Sequence, residues 1–201
     1  MKLNNRGMTL IEMVVAFAIL GVLSVAVFSM MLTSTKTYTK MTSSIKLQYE
    51  TQVALANIES RISNCNRGIT WKVENGREEL FLVSGEDNAR SLEVIYLSGN
   101  QDKLYYGTAS FESTDMTFYL LAEHVASISV ELLPTETVDG ITKPAKEIKQ
   151  VKLTLTMEQN GVSYTGQKTI ALRNRPSGEY DWTLTVGTQT NNTITLLRDP
   201  E

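Results

Sequence analysis

The 201-residue chain contains one cysteine and one histidine. With Cys65 alone, an internal disulfide is excluded, and a single His124 leaves little material for a zinc site or a catalytic triad. A Gly-x-Ser-x-Gly elbow and a phosphate-binding glycine loop are also missing. The chain is therefore expected not to be an enzyme and to need no cofactor or metal. Proline and glycine are both absent from Val22 through Arg67, so nothing in that stretch stops a helix. Charge is absent from Met13 through Leu32. Nor is there an excess of cations: 19 Lys and Arg stand against 22 Asp and Glu, a net charge of -3. Such a chain has no general attraction for nucleic acid.

What is present starts with that uncharged run. It is mostly apolar, and at about 1.5 Å per helical residue it is long enough to cross the roughly 30 Å hydrocarbon core of a bilayer. Glu12 stands at its head. A carboxylate inside a membrane costs about 2 to 3 kcal/mol at mid-bilayer and less near an end, so Glu12 needs a partner. Cleavage between Gly7 and Met8 would create one, an α-amino group protonated at neutral pH. At the tip of the same helix it is poorly placed for Glu12. Between neighbouring helices staggered by about a turn, the two could neutralise each other. Lys2 and Arg6 precede the run and favour a cytoplasmic N-terminus with the remainder outside. A secretory signal peptide cut near Ser24-Val25-Ala26 and a plain single-span anchor are the simpler alternatives.

Arg6-Gly7-Met8-Thr9-Leu10-Ile11-Glu12, followed directly by the apolar run, resembles the leader-peptidase signature of the type IV pilin superfamily, which includes pilins and the pseudopilins of secretion and competence systems. The resemblance implies cleavage after Gly7 by prepilin peptidase, N-methylation of Met8, which keeps its positive charge, and use of Glu12 in assembly. Expected partners are that peptidase, other minor and major pilins or pseudopilins, and an inner-membrane assembly platform. The expected location is the cytoplasmic membrane in a single pass, then an extracytoplasmic filament. Many major pilins carry a proline in the membrane half of the helix, and this run has none.

Beyond Leu32 the helix is predicted to continue to Arg67, with Gly68 as terminator. Thr51, Leu55, Ile58, Ile62 and Cys65 recur at spacings of four and three, one face of a helix that something must cover. From Gly68 the period changes to two. Thr70–Val73 with Leu80–Val83 around Asn75-Gly76, and Val151–Met157 with Val162–Leu172 around Asn160-Gly161, read as hairpins. Further alternating runs at Leu92–Leu97, Leu104–Tyr106, Thr117–Leu121 and Ile128–Leu133 complete an antiparallel sheet of roughly four to seven strands. The fold class is α+β, a long N-terminal helix packed on that sheet in pilin-like fashion. Its divisions are a leader at 1–7, a membrane or filament-core helix at 8–32, an amphipathic continuation at 33–67, a β domain at 68–174 and a C-terminal extension at 175–201, read as an edge hairpin.

The order of Val53-Ala54-Leu55, Ile58, Arg61, Ile95-Tyr96-Leu97, Leu104-Tyr105-Tyr106 and Leu172-Arg173-Asn174 is similar to that of J-type minor pseudopilins and PilW-like minor pilins. This implies a structural subunit that helps initiate or cap a filament. A tip adhesin or DNA-binding minor pilin is the alternative within the family. Lesser candidates are a Cys65–His124 nucleophile pair, a calcium loop at Thr135–Gly140 with Glu136 and Asp139, and a basic cluster of Lys143, Lys146, Lys149 and Lys152.

Overall fold

The computed structural model describes residues 9–74, 76–86, 89–98, 102–110, 115–138, 141–144, 146–178, 181–185 and 192–198. The chain divides into two compact units, 1–43 and 44–201. A single helix, α1 (Leu10–Asn64), supplies all the described structure of the first unit and the opening element of the second. It stops three residues short of Arg67. Cys65 N–H donates to Ile62 O at 3.1 Å, a tightened last turn, and Arg67 N–H already donates to Val83 O in the sheet. Gly68 is thus the first residue of a strand and does not cap the helix.

Seven of the strands form one antiparallel sheet in the order β1-β2-β3-β4-β5-β12-β11. They are β1 (Gly68–Glu74), β2 (Arg77–Glu86), β3 (Ala89–Ser98), β4 (Lys103–Ser110), β5 (Asp115–Glu123), β11 (Asp181–Thr185) and β12 (Asn192–Arg198). A second sheet, in the order β10-β9-β6, comprises β6 (Val125–Leu133), β9 (Gln150–Gln159) and β10 (Val162–Ala171). A small hairpin, β7 (Thr135–Val138) with β8 (Ile141–Pro144), completes the set. At the β9–β10 turn, Asn160 and Gly161 have φ of 54° and 70°, the two left-handed residues that a tight hairpin of this twist requires. Of the Asn75-Gly76 turn, Asn75 lies outside the described residues, and Gly76 has φ of 74°.

The helix stripe read from the sequence is buried throughout. Thr51, Leu55, Ile58, Ile62 and Cys65 join Leu47 and Ala54 in one core. Both larger sheets contribute to it, through Leu80, Leu82 and Ile95 from one and Ile128, Leu153 and Leu155 from the other. The expected single sheet is therefore two. Gly166 in β10 sets the closest approach, since a Cβ there would lie 2.7 Å from Thr51 Cγ2 and 2.9 Å from Leu55 Cδ1. Polar ties hold the same faces: Arg61 Nη1 donates to Glu93 Oε2 at 2.8 Å and its guanidinium lies 3.4 Å from the centre of the Tyr106 ring, while Lys168 pairs with Glu59.

The large sheet has a second buried face. Phe81, Val83, Leu92, Val94, Tyr96, Met116 and Phe118 form a separate cluster, with Tyr96 stacked on Tyr105 at 5.3 Å and edge-on to Phe118 at 4.8 Å. Burial on both faces explains why Leu80-Phe81-Leu82-Val83 is a continuous apolar run and not an alternating one.

Candidate processing and assembly site at the helix N-terminus

The helix begins with a reciprocal cap. Thr9 is the N-cap residue and Glu12 the third residue of the helix, the Thr-x-x-Glu spacing at which each side chain reaches the other's backbone N–H. Thr9 N–H donates to Glu12 Oε2 at 2.8 Å, the Thr9 hydroxyl donates to the same oxygen at 2.8 Å, and Glu12 N–H points at Thr9 Oγ1 at 3.4 Å. The first helical carbonyl bond, from Met13 N–H to Thr9 O at 3.3 Å, closes the turn. A carboxylate here also faces the positive end of the helix dipole.

Glu12 thus has a hydrogen-bond partner at the start of its own helix, besides the amine that cleavage would supply. Thr9 is that partner. The signal was visible as Thr9 and Glu12 three residues apart before an apolar run. Gly7 and Met8, the residues of the expected cleavage site, lie outside the described residues. Glu12 and its neighbours are open to solvent, with Leu10 and Ile11 83% and 71% exposed.

From Met13 to Leu32 the helix presents its large apolar side chains outward on every side. Its most apolar window has a mean hydropathy of 2.6, none of it buried, which makes α1 long and apolar enough to cross a membrane. Inside the run, Ser24 needs no water, because its Oγ donates to Leu20 O at 2.7 Å. Residues 2–28 match the family model described as the prokaryotic N-terminal methylation motif. That motif supports a place in the type IV pilin superfamily. The motif implies processing by prepilin peptidase and assembly with other pilins, and the apolar helix fits a single-pass anchor. No curated protein matches the chain.

The other candidate residues are placed apart from one another. Cys65 Sγ points at the carbonyls of Gly68 and Val83 at 3.0 and 3.3 Å, and burial pushes its thiol pKa up to about 11, away from a reactive thiolate. His124 occupies the β5–β6 turn with φ of 61°, and its Nε2 lies 2.8 Å from the Gln159 amide nitrogen. The two residues thus belong to different hydrogen-bond networks. Of the calcium loop, Asp139 and Gly140 lie outside the described residues, and the flanking segments are strands β7 and β8. Within the basic cluster, Lys152 pairs with Glu131 across β9 and β6 at 3.2 Å.

Proposed function

We propose that this chain is a minor pilin or pseudopilin, a non-catalytic structural subunit that helps initiate or cap a type IV pilus-like filament. The observation that carries the reading is Glu12 at the head of an exposed apolar stretch of helix, inside a matched methylation motif. In this reading prepilin peptidase cuts between Gly7 and Met8 on the cytoplasmic side, Met8 is methylated, and the β domain stands outside. The cap supports a two-stage role for Glu12. In the isolated chain its carboxylate is held by Thr9, and in the filament it passes to the charged amine of a neighbour's Met8. That exchange replaces a hydrogen bond between neutral donor and carboxylate by a charge pair in a low-dielectric setting, where it is worth more.

The resemblance of the β region to J-type and PilW-like subunits supports a minor over a major role. A tip adhesin or DNA-binding subunit is the alternative, and removal of residues 175–201 separates the two: the tip reading expects binding to be lost while filaments persist. For the leading reading, Glu12→Ala should leave cleavage and membrane insertion intact and abolish incorporation into filaments, measured by immunoblot of sheared filaments against membranes. Normal incorporation of that variant would overturn the pairing. Mass spectrometry of the mature N-terminus should find methylated Met8; a chain beginning at unmodified Met1 would overturn the pilin reading altogether and favour a plain membrane-anchored domain.

A further inference from the structure

We propose that the helical segment just beyond the apolar run is a collar for anionic lipid headgroups, with Lys36 and Lys40 as the phosphate-binding groups and Tyr38 as the interfacial anchor between them. The proposal rests on the membrane-anchored reading and goes beyond it by assigning a lipid class and the residues that select it.

Charge distribution is the first argument. From Met13 to Tyr49 the only charged residues are Lys36, Lys40 and Lys46. Lys46 has Glu50 as a partner at 3.6 Å. Among the described residues, Lys36 and Lys40 have no carboxylate partner, and they stand four apart on one helix face, where like charges repel. An anionic ligand removes that repulsion. In the proposed orientation both also lie on the translocated side of the span, against the usual bias of lysines towards the cytoplasm. A ligand on that side accounts for cations kept there.

Depth is the second argument. Leu32 ends the apolar run, so Lys36 lies about 6 Å and Lys40 about 12 Å further along the axis. The headgroup layer on one side of a bilayer is about 5 to 8 Å thick. Helical side chains lean towards the N-terminus, which here means back towards the membrane, so both ammonium groups are carried into that layer. Tyr38, 72% exposed, falls at the level where aromatic residues anchor spanning helices.

The hydroxyls before and between the lysines give the third. Thr33, Thr35 and Thr37 donate to the carbonyls of Ser29, Met31 and Thr33 at 3.0, 2.9 and 3.0 Å, and Thr39 donates to Lys36 O at 2.9 Å. With these donors turned onto their own helix, the segment tolerates a half-dehydrated zone, and the lysines are left as the strong donors for phosphate. A shallow trough on this segment, lined by Met30, Tyr38 and Met41 together with the hydroxyl residues Ser29, Thr33, Ser34 and Thr37, has room for the glycerol and upper acyl carbons of a lipid.

The test is reconstitution of the full chain into vesicles of phosphatidylcholine alone and of phosphatidylcholine mixed with phosphatidylglycerol, followed by gentle detergent release and native mass spectrometry of the lipids carried. Wild type should carry phosphatidylglycerol in preference to phosphatidylcholine, and the double variant Lys36→Gln/Lys40→Gln should lose that preference by about 25-fold, the combined effect of two juxtamembrane lysines. Lys149→Gln, an exposed lysine of the β domain, should keep it. Lys2 and Arg6 are common to every variant and cancel. Equal preference in wild type and double variant, or none in wild type, would overturn the collar. Displacement of the lipid by millimolar inorganic phosphate would also overturn it, because a free anion would then be the ligand. Carbonate-resistant insertion into pure phosphatidylcholine is scored separately: a chain that does not insert defeats the anchor reading, whereas insertion without lipid preference defeats only the collar.

Discussion

One helix in this protein carries two kinds of apolar surface. Ile19 is 55% exposed and Ile58 is fully buried, although both are isoleucines within α1. Around Ile58 the apolar residues keep to one stripe, which two sheets cover, and the opposite face is polar. Around Ile19 the apolar residues run all the way round, and none of the described residues covers them. A stripe is what a helix needs to dock on its own domain, whereas an all-round apolar surface needs lipid or other helices. Burial of the second kind must come from outside the chain.

The largest expected contrast is between the two isoleucines themselves. Ile58→Ala should cost about 3 to 4 kcal/mol, the transfer term plus an unfilled cavity. Ile19→Ala should change the stability of the β domain by less than about 0.5 kcal/mol. Urea unfolding of the full chain in detergent, followed by the fluorescence of Trp71 and Trp182, measures both. Equal costs would mean that the exposed stretch is tied to the folded core after all, and the distinction between the two surfaces would fail.

Cys65 sharpens the same contrast through pH. Its thiol is pushed up to about 11 by burial, with partial relief from the backbone groups around it. The unfolded chain loses this proton first, near its ordinary value of about 9, so above that pH the unfolded state binds fewer protons and stability falls as pH rises. The loss should build between about pH 9 and 11 and approach about 2 to 3 kcal/mol. Cys65→Ala should remove that slope, seen as wild-type and variant unfolding curves that converge with increasing pH. Parallel curves would show that the thiol is not held in the core.

A smaller effect is expected at Gly166. An added methyl must displace Thr51 Cγ2 and Leu55 Cδ1, so Gly166→Ala should cost about 1 to 3 kcal/mol by overpacking. Pairing it with Leu55→Ala makes room, and the double variant should be more stable than the sum of the single losses predicts. Strict additivity would place the close contact elsewhere.

The legibility of these features in the sequence follows their range. The docking stripe from Thr51 to Cys65 and the Asn160-Gly161 hairpin depend on neighbours a few residues apart, and both could be read directly. The end of the helix could not, because Arg67 N–H leaves it for Val83 O, a partner sixteen residues away. Division into two sheets was likewise hidden: β6 pairs with β9 and β5 with β4, and no periodicity within a strand records its partner. The continuous apolar run at Leu80–Val83 did hold a clue to the second buried face. At the candidate site, Glu12 stands out by its charge, while Thr9 does not, because its part is a local hydrogen bond and not a conspicuous residue type.

That hydrogen bond sets up the smallest and most discriminating prediction. Thr9→Ala removes the hydroxyl that bonds Glu12 Oε2 and faces Glu12 N–H, so amide exchange at Glu12 should quicken on the order of fivefold, the worth of an ordinary N-cap. Thr9→Ser should not change it. Glu12→Gln then separates capping from charge. A glutamine fills the same place in a capping box, so the helix start should remain protected, yet it carries no charge to set against a neighbour's amine. If the carboxylate serves assembly, Glu12→Gln should keep slow exchange and fail to enter filaments. Should it enter them normally, the role of Glu12 ends with the cap, and the apolar surface from Met13 to Leu32 must find its neighbours without that ion pair.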